Sequence, residues 1–128
     1  MSKQNFPLKT VIALSVLLAC CGCEREAEKN AALMTGGNPQ RGRRTIAQYG
    51  CSSCHSIPGV PGADGLVGPP LQRIAARTYI GGVLINTPEN MIRWLENPPA
   101  VDPLTAMPNV HLSDPEARDV ASYLFTLK

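Results

Sequence analysis

Apolar and polar positions divide this chain into three regimes. Val11 to Ala19 is a short, nearly continuous apolar run. Glu24 to Gly37 is charged and rich in small residues, with no apolar period. From Asn38 onward, short apolar stripes at helical spacing alternate with stretches rich in Pro and Gly. Asn38-Pro39 predicts a helix start, with Asn as N-cap and Pro in the first turn. Only Gly42 interrupts Gln40–Tyr49, and Gly50 supplies the stop. Ser56 to Pro70 is turn material, and Leu71 to Arg77 has room for one or two helical turns. Thr87-Pro88-Glu89 opens a helix striped by Met91, Ile92, Trp94 and Leu95, and Asn97-Pro98-Pro99 ends it. Ala100 to Leu112 reads as an extended loop. Ser113-Asp114-Pro115-Glu116 is a capping box, and Val120, Ala121, Leu124 and Leu127 give the last helix its buried face. The only strand signal is Val83-Leu84-Ile85. The expected fold is all-α, three to four short helices joined by long loops. Loops of that length need a reason in a small domain. A large apolar cofactor that they wrap around is a sufficient one.

The first regime is an export leader. Lys3 and Lys9 form its basic region and Val11–Ala19 its apolar region, too short for the roughly 20 residues of a spanning helix. Leu17-Leu18-Ala19-Cys20 resembles the bacterial lipoprotein signal, in which the Cys becomes the acylated first residue. Residues 1–19 are then the signal peptide and Cys20 the lipidation site. The alternatives are an uncleaved anchor, or an ordinary cleavage after Ala19 with Cys20, Cys21 and Cys23 incidental. The second regime makes residues 20–37 a flexible tether, leaving 38–128 as the folded domain. The expected location is the periplasmic side of a bacterial membrane, held there by lipid.

Length and charge narrow the partners. A chain of 128 residues is one domain as a prior, and 5% aromatics is thin for a self-sufficient core. The formal charge is +2, but Lys3 and Lys9 lie in the leader, leaving ten basic against ten acidic residues. A balanced domain excludes nucleic acid as a partner, since phosphate binding needs a basic excess.

The chemistry sits at Cys51-Ser52-Ser53-Cys54-His55. Two Cys separated by two residues, with His directly after, is the attachment signature of c-type haem. Each thiol adds to one vinyl group of a single haem, and His55 becomes the proximal iron ligand. A thioredoxin-type redox pair lacks its strand–helix surroundings here. Half a zinc site lacks a second Cys/His pair, and His111 alone does not supply one. For the opposite side of the iron, Met107 in Thr105-Ala106-Met107-Pro108 sits in a loop from which a sulfur can reach. Taken alone, Met107 reads equally as filler. His111 is its rival and would give bis-His ligation.

From Asn38 to Lys128 the chain resembles the class I, monohaem cytochromes c. The landmarks come in order: Gly42, Cys51-Cys54-His55, Gly68-Pro69-Pro70-Leu71, Trp94-Leu95 with Asn97-Pro98, Thr105-Ala106-Met107-Pro108, and Tyr123. The resemblance implies a cytochrome c-like fold around one covalently bound haem c, with Gly42 and Tyr123 at a helix crossing. It implies that the Pro69 carbonyl accepts the His55 N–H, fixing the ring. It makes Met107 the axial ligand, sets Trp94 against the haem, and gives Thr105 a propionate to hold. Arg73 and Arg77 could neutralise propionates, and Arg41, Arg43 and Arg44 read as a solvated face or a docking patch. A closed His/Met iron implies a carrier of single electrons rather than an enzyme. Its partners would be redox proteins in small, transient contacts. The similar proteins are small bacterial cytochromes serving membrane-bound oxidases or dehydrogenases. The competing class is a haem gas sensor or peroxidase-like protein with a displaceable sixth ligand. A third is a structural lipoprotein that merely contains the motif.

Overall fold

The computed structural model describes residues 23–128. The leader, Cys20 and Cys21 lie outside those residues. Among the described residues, no helix is long and apolar enough to cross a membrane.

Among the described residues, five helices run in chain order: α1 over 23–35, α2 Pro39–Gln48, α3 Pro88–Glu96, α4 Pro98–Val101 and α5 Asp114–Leu124. Single 3-10 turns lie at Cys51–Ser53 and Ile74–Ala76. One antiparallel ribbon pairs β1, Tyr79–Ile80, with β2, Leu84–Ile85. The fold is thus mainly helical, as expected. The ribbon starts earlier than the Val83–Ile85 signal because Gly81 and Gly82, both at positive φ, make the reversal.

The predicted caps form the predicted ends. Asn38 accepts the Arg41 N–H at 2.8 Å, and Thr87 accepts the Asn90 N–H at 3.2 Å. Gly50, at φ 71, takes the left-handed conformation that ends α2. Asn97 closes α3 and also caps α4, its side chain accepting the Ala100 N–H at 3.3 Å. Because α4 uses the two prolines at its start, the loop expected from Ala100 begins only at Asp102.

The core centres on the crossing of α2 and α5, with α3 laid against α5. Ile46, Ala117, Val120 and Ala121 are buried there. Gly42 sits on the α5 backbone at Asp119 and Val120, and no side chain fits between. Tyr123, one turn further along α5, sends its hydroxyl to the Pro58 carbonyl at 2.5 Å.

Asp119 clasps this crossing. Its carboxylate accepts the Asn38 N–H at 2.6 Å and two bonds from Arg41 at 2.6 and 2.9 Å. Arg41 is 58% exposed and rehydrates freely, so the ion pair by itself is worth little. The part-buried Asn38 bond, made to a buried carboxylate, matters more. Asp119→Ala should cost about 2 kcal/mol, read by chemical denaturation, because the start of α2 then loses its acceptor. Arg41 therefore belongs to the clasp and is not a free member of a basic cluster.

Glu116 ties α5 to α2. It accepts from the Ser113 hydroxyl and backbone at 2.5 and 2.9 Å, and from the Tyr49 hydroxyl at 2.8 Å. The Ser113 hydroxyl, then its backbone N–H, then Tyr49 hold the Glu116 carboxyl below its ordinary range. A carboxyl lowered on folding contributes stability above its unfolded pKa, near 4.3, and loses it as pH falls through the folded value. Glu116→Gln should therefore destabilise the protein at neutral pH. The gap to wild type should close in acid, which thermal melts across pH 3–7 would register.

The expectation of a flexible tether over 20–37 is corrected by α1. Residues 23–35 are helical, and Ala31 and Thr35 are each 2% exposed. The Thr35 carbonyl accepts from Arg118 at 3.2 Å, Gln40 bonds Glu28, and Gly37 packs directly on the α5 backbone. The segment consists of strong helix formers such as Ala, Glu, Lys and Leu. It docks through small residues, so it shows no apolar stripe.

Candidate functional site

A cavity of about 560 Å³ opens between the helices and the loops, a volume typical of sites for small molecules and cofactors. Ile46 of α2 and Tyr49 just after it, Met91, Trp94 and Leu95 of α3, and Val120 and Leu124 of α5 form its apolar walls. The ribbon closes one end through Tyr79, Ile80 and the two glycines.

The attachment motif lies along one wall. After Gly50 turns the chain, the Cys54 and His55 N–H groups both donate to the Cys51 carbonyl, at 3.2 and 3.0 Å. This tight turn sets Cys51, Cys54 and His55 on the same cavity. Burial pushes the Cys51 thiol up, and Cys54 adds to the shift. Such a thiol stays protonated, unlike the thiolates of redox-active Cys pairs.

The segment after the motif folds back beneath His55. Gly68 N–H donates to the Cys54 carbonyl at 2.7 Å, and Leu71 N–H donates to the Ser56 carbonyl at 2.8 Å. The turn brings the Pro69 carbonyl to 2.7 Å from His55 Nδ1. A carbonyl only accepts, so Nδ1 carries the proton and Nε2 keeps its lone pair for a metal. Gly68 lies flat on the ring: a Cβ there would come within 2.5 Å of His55 Cε1.

Met107 lines the same cavity from the 105–110 loop. Its N–H donates to Thr105 Oγ1 at 3.2 Å, and its Sδ accepts the Trp94 indole N–H at 3.2 Å. Thr105 thus shapes the Met107 turn, and its own hydroxyl proton remains free to donate. Trp94, which the resemblance sets against the haem, directs its N–H to the thioether. His111 is exposed, at positive φ, and is absent from the cavity wall. Arg77 lines the cavity and donates to the Pro70 and Gln72 carbonyls, while Arg73 is exposed and does not line it. Arg43 and Arg44 border a separate cleft with Glu28 and Tyr123.

Two contributions had weak sequence signals. Gly81 packs against the Trp94 indole, where a Cβ would meet the ring at 2.6 Å; the adjacent glycines were its only trace. Asp119 had none, because a buried acid looks like any other charged position on a helix.

These residues fit a flat, apolar, metal-bearing macrocycle. The slot is lined by hydrocarbon, two thiols stand on one wall, and an imidazole nitrogen and a thioether face the interior. This defines a small helical protein of the c-type haem class. Residues 39–128 match the Cytochrome c family, and the chain belongs to that family. Membership implies covalent haem c and electron transfer. An 89-residue stretch is 28% identical to cytochrome c oxidase subunit 2 of Alkalihalophilus pseudofirmus, covering 69% of this chain. The aligned stretch spans only 25% of that relative's length.

Proposed function

We propose that this chain is a monohaem c-type cytochrome that carries single electrons to or from a membrane-associated oxidoreductase, with a terminal oxidase the favoured partner. The observation that carries the reading is that His55, oriented by the Pro69 carbonyl, and Met107, held by Trp94, line one apolar cavity with both thiols. Haem, when bound, supplies a one-electron iron couple. The chain does the rest. Cys51 and Cys54 would hold the group covalently, and His55 Nε2 and Met107 Sδ would be its iron ligands. Arg77 and the Thr105 hydroxyl are the donors available to the cofactor's carboxylates. The hydrocarbon walls exclude water and favour the less charged, reduced state.

The similarity to an oxidase subunit supports the choice of partner. The Leu17–Cys20 pattern supports a lipid on Cys20 and a place on the periplasmic side of a bacterial membrane. The acylated residue would then lie three positions from Cys23, where α1 is already helical, and α1 is tied to the domain from Glu28 onward. Such a carrier would be held close to the bilayer. Mass spectrometry of the mature N-terminus tests the lipid, and an unmodified Cys20 would reject it.

The function is tested by pyridine haemochrome analysis and by carbon monoxide. The expected result is one covalent haem per chain and no rapid carbon monoxide binding at neutral pH. Rapid binding by the reduced protein would instead identify a gas sensor or a peroxidase-like protein.

A further inference from the structure

The rim of the cavity is poor in charge. Segments 50–63, 65–72 and 103–113 all contribute lining residues, and none contains Lys, Arg, Asp or Glu. Asp64 and Asp102 interrupt or border these segments, and Arg73 and Arg77 follow them, so the surroundings have no net sign. The larger charge clusters lie elsewhere, on α1, on α2 and at the start of α5.

The same rim exposes hydrocarbon. Leu66 is 90% and Leu104 93% exposed. Each is next in chain to a lining residue, Val67 and Thr105, but neither lines the cavity itself. A bound cofactor therefore leaves them in solvent. Neither loop is loose. A Cβ on Gly65 would come within 2.6 Å of the Ser52 carbonyl, so that turn is pressed onto the attachment motif. Leu104 N–H donates to Asp102 Oδ1 at 3.0 Å, and Thr105 N–H to the Asp102 carbonyl at 3.1 Å. Single exposed leucines are ordinary. Two nearly fully exposed ones, on two fixed loops of a charge-poor rim, form a prepared contact surface.

We infer that this rim is the electron-exchange docking face, and that it selects a redox protein whose own exchange site lies beneath an uncharged, apolar patch. The inference rests on the proposed function and adds the chemistry of the partner. A partner with a ring of acids or bases would find only a few counter-charges of mixed sign here and would still lose hydration from its own. An apolar patch gains from covering Leu66 and Leu104 without needing any ion pair. Encounters of that kind are brief and indifferent to salt.

The test uses the mature holoprotein as its own probe, because two copies exchanging electrons must meet rim to rim. Self-exchange is measured by NMR line broadening from about 10 to 500 mM salt, a range over which the screening length falls from about 30 Å to a few Å. The wild-type rate should change by less than about threefold, since few charges face one another. The Leu66→Lys, Leu104→Lys double variant should exchange about tenfold more slowly at low salt and recover at high salt, through like-charge repulsion at the contact. Both substitutions are on the surface, and an unchanged melt and reduction potential would show that the haem site is intact. A steeper salt dependence in wild type, or a double variant as fast as wild type at low salt, overturns the inference. So does binding of Cys20→Ser protein to neutral phosphatidylcholine vesicles through the same two leucines, which would make the rim a bilayer contact. Covalent haem and a closed iron with salt-steep exchange would reject only the docking chemistry. Absence of covalent haem would reject the proposed function as well.

Discussion

Met107→Ala is expected to open the iron. The variant should keep its covalent haem, lose the sulfur-to-iron charge-transfer band of the oxidised protein, and bind carbon monoxide when reduced. Its reduction potential should fall by a sizeable part of the roughly 0.8 V that axial ligands command. The argument is geometric. Met107 and His55 line the same cavity, whereas His111 stands outside it in solvent. Met107 is half-buried, so removing its side chain leaves no large internal void and the fold should survive. The Trp94 N–H loses its acceptor and must turn to water or another partner. His111→Ala is the control and should leave the spectrum and potential unchanged. Absence of the band from the wild type, with the spectrum and potential unchanged in Met107→Ala and altered in His111→Ala, would reverse the ligand assignment.

Gly42→Ala is expected to have the largest effect on stability. Alanine normally improves a helix interior over glycine by about 1 kcal/mol. Here the added methyl would overlap the Asp119 carbonyl and crowd the Val120 nitrogen. Backbone cannot turn aside as a flexible side chain can, so α2 and α5 must separate. The cost should reach or exceed about 3 kcal/mol, at the upper end for overpacking. The damage should also spread to the site, because Ile46 of α2, Tyr49 at its end, and Val120 and Leu124 of α5 are cavity walls. Denaturant melts of the holoprotein give the energy, and the yield of covalent haem reports the site. A variant as stable as wild type would mean that the two helices do not cross at Gly42.

Much of this was legible along the chain. Asn38 and Thr87 cap helices because a short polar side chain accepts an N–H three residues on, and at the start of α5 the Glu116 carboxylate reaches back to the Ser113 N–H; such bonds need no distant partner. Gly50 ends α2 for the same local reason. The attachment motif is likewise local, since two thiols and an imidazole within five residues must end on one small patch of surface. Legibility failed where docking was carried by small side chains. Nothing in the period of 23–35 marks Ala31 and Thr35 as buried, so a helix looked like a tether. The Gly81–Trp94 contact was hidden for a related reason, because glycine advertises a turn and not what lies against it.

The sequence by itself determined where α2 and α3 begin and end, where α5 begins, that the attachment motif exists, and that the domain is nearly neutral. Each of these depends on neighbours a few bonds apart. Only the tertiary structure decided that His55 meets the Pro69 carbonyl, that Trp94 rather than solvent holds Met107, and that Asp119 fastens the start of α2. It also decided that His111 stays outside the cavity and that α1 is fixed to the domain. Those partners lie far apart along the chain. Their pairing is chosen by which apolar faces can be buried together, and that is a property of the packed whole rather than of any segment.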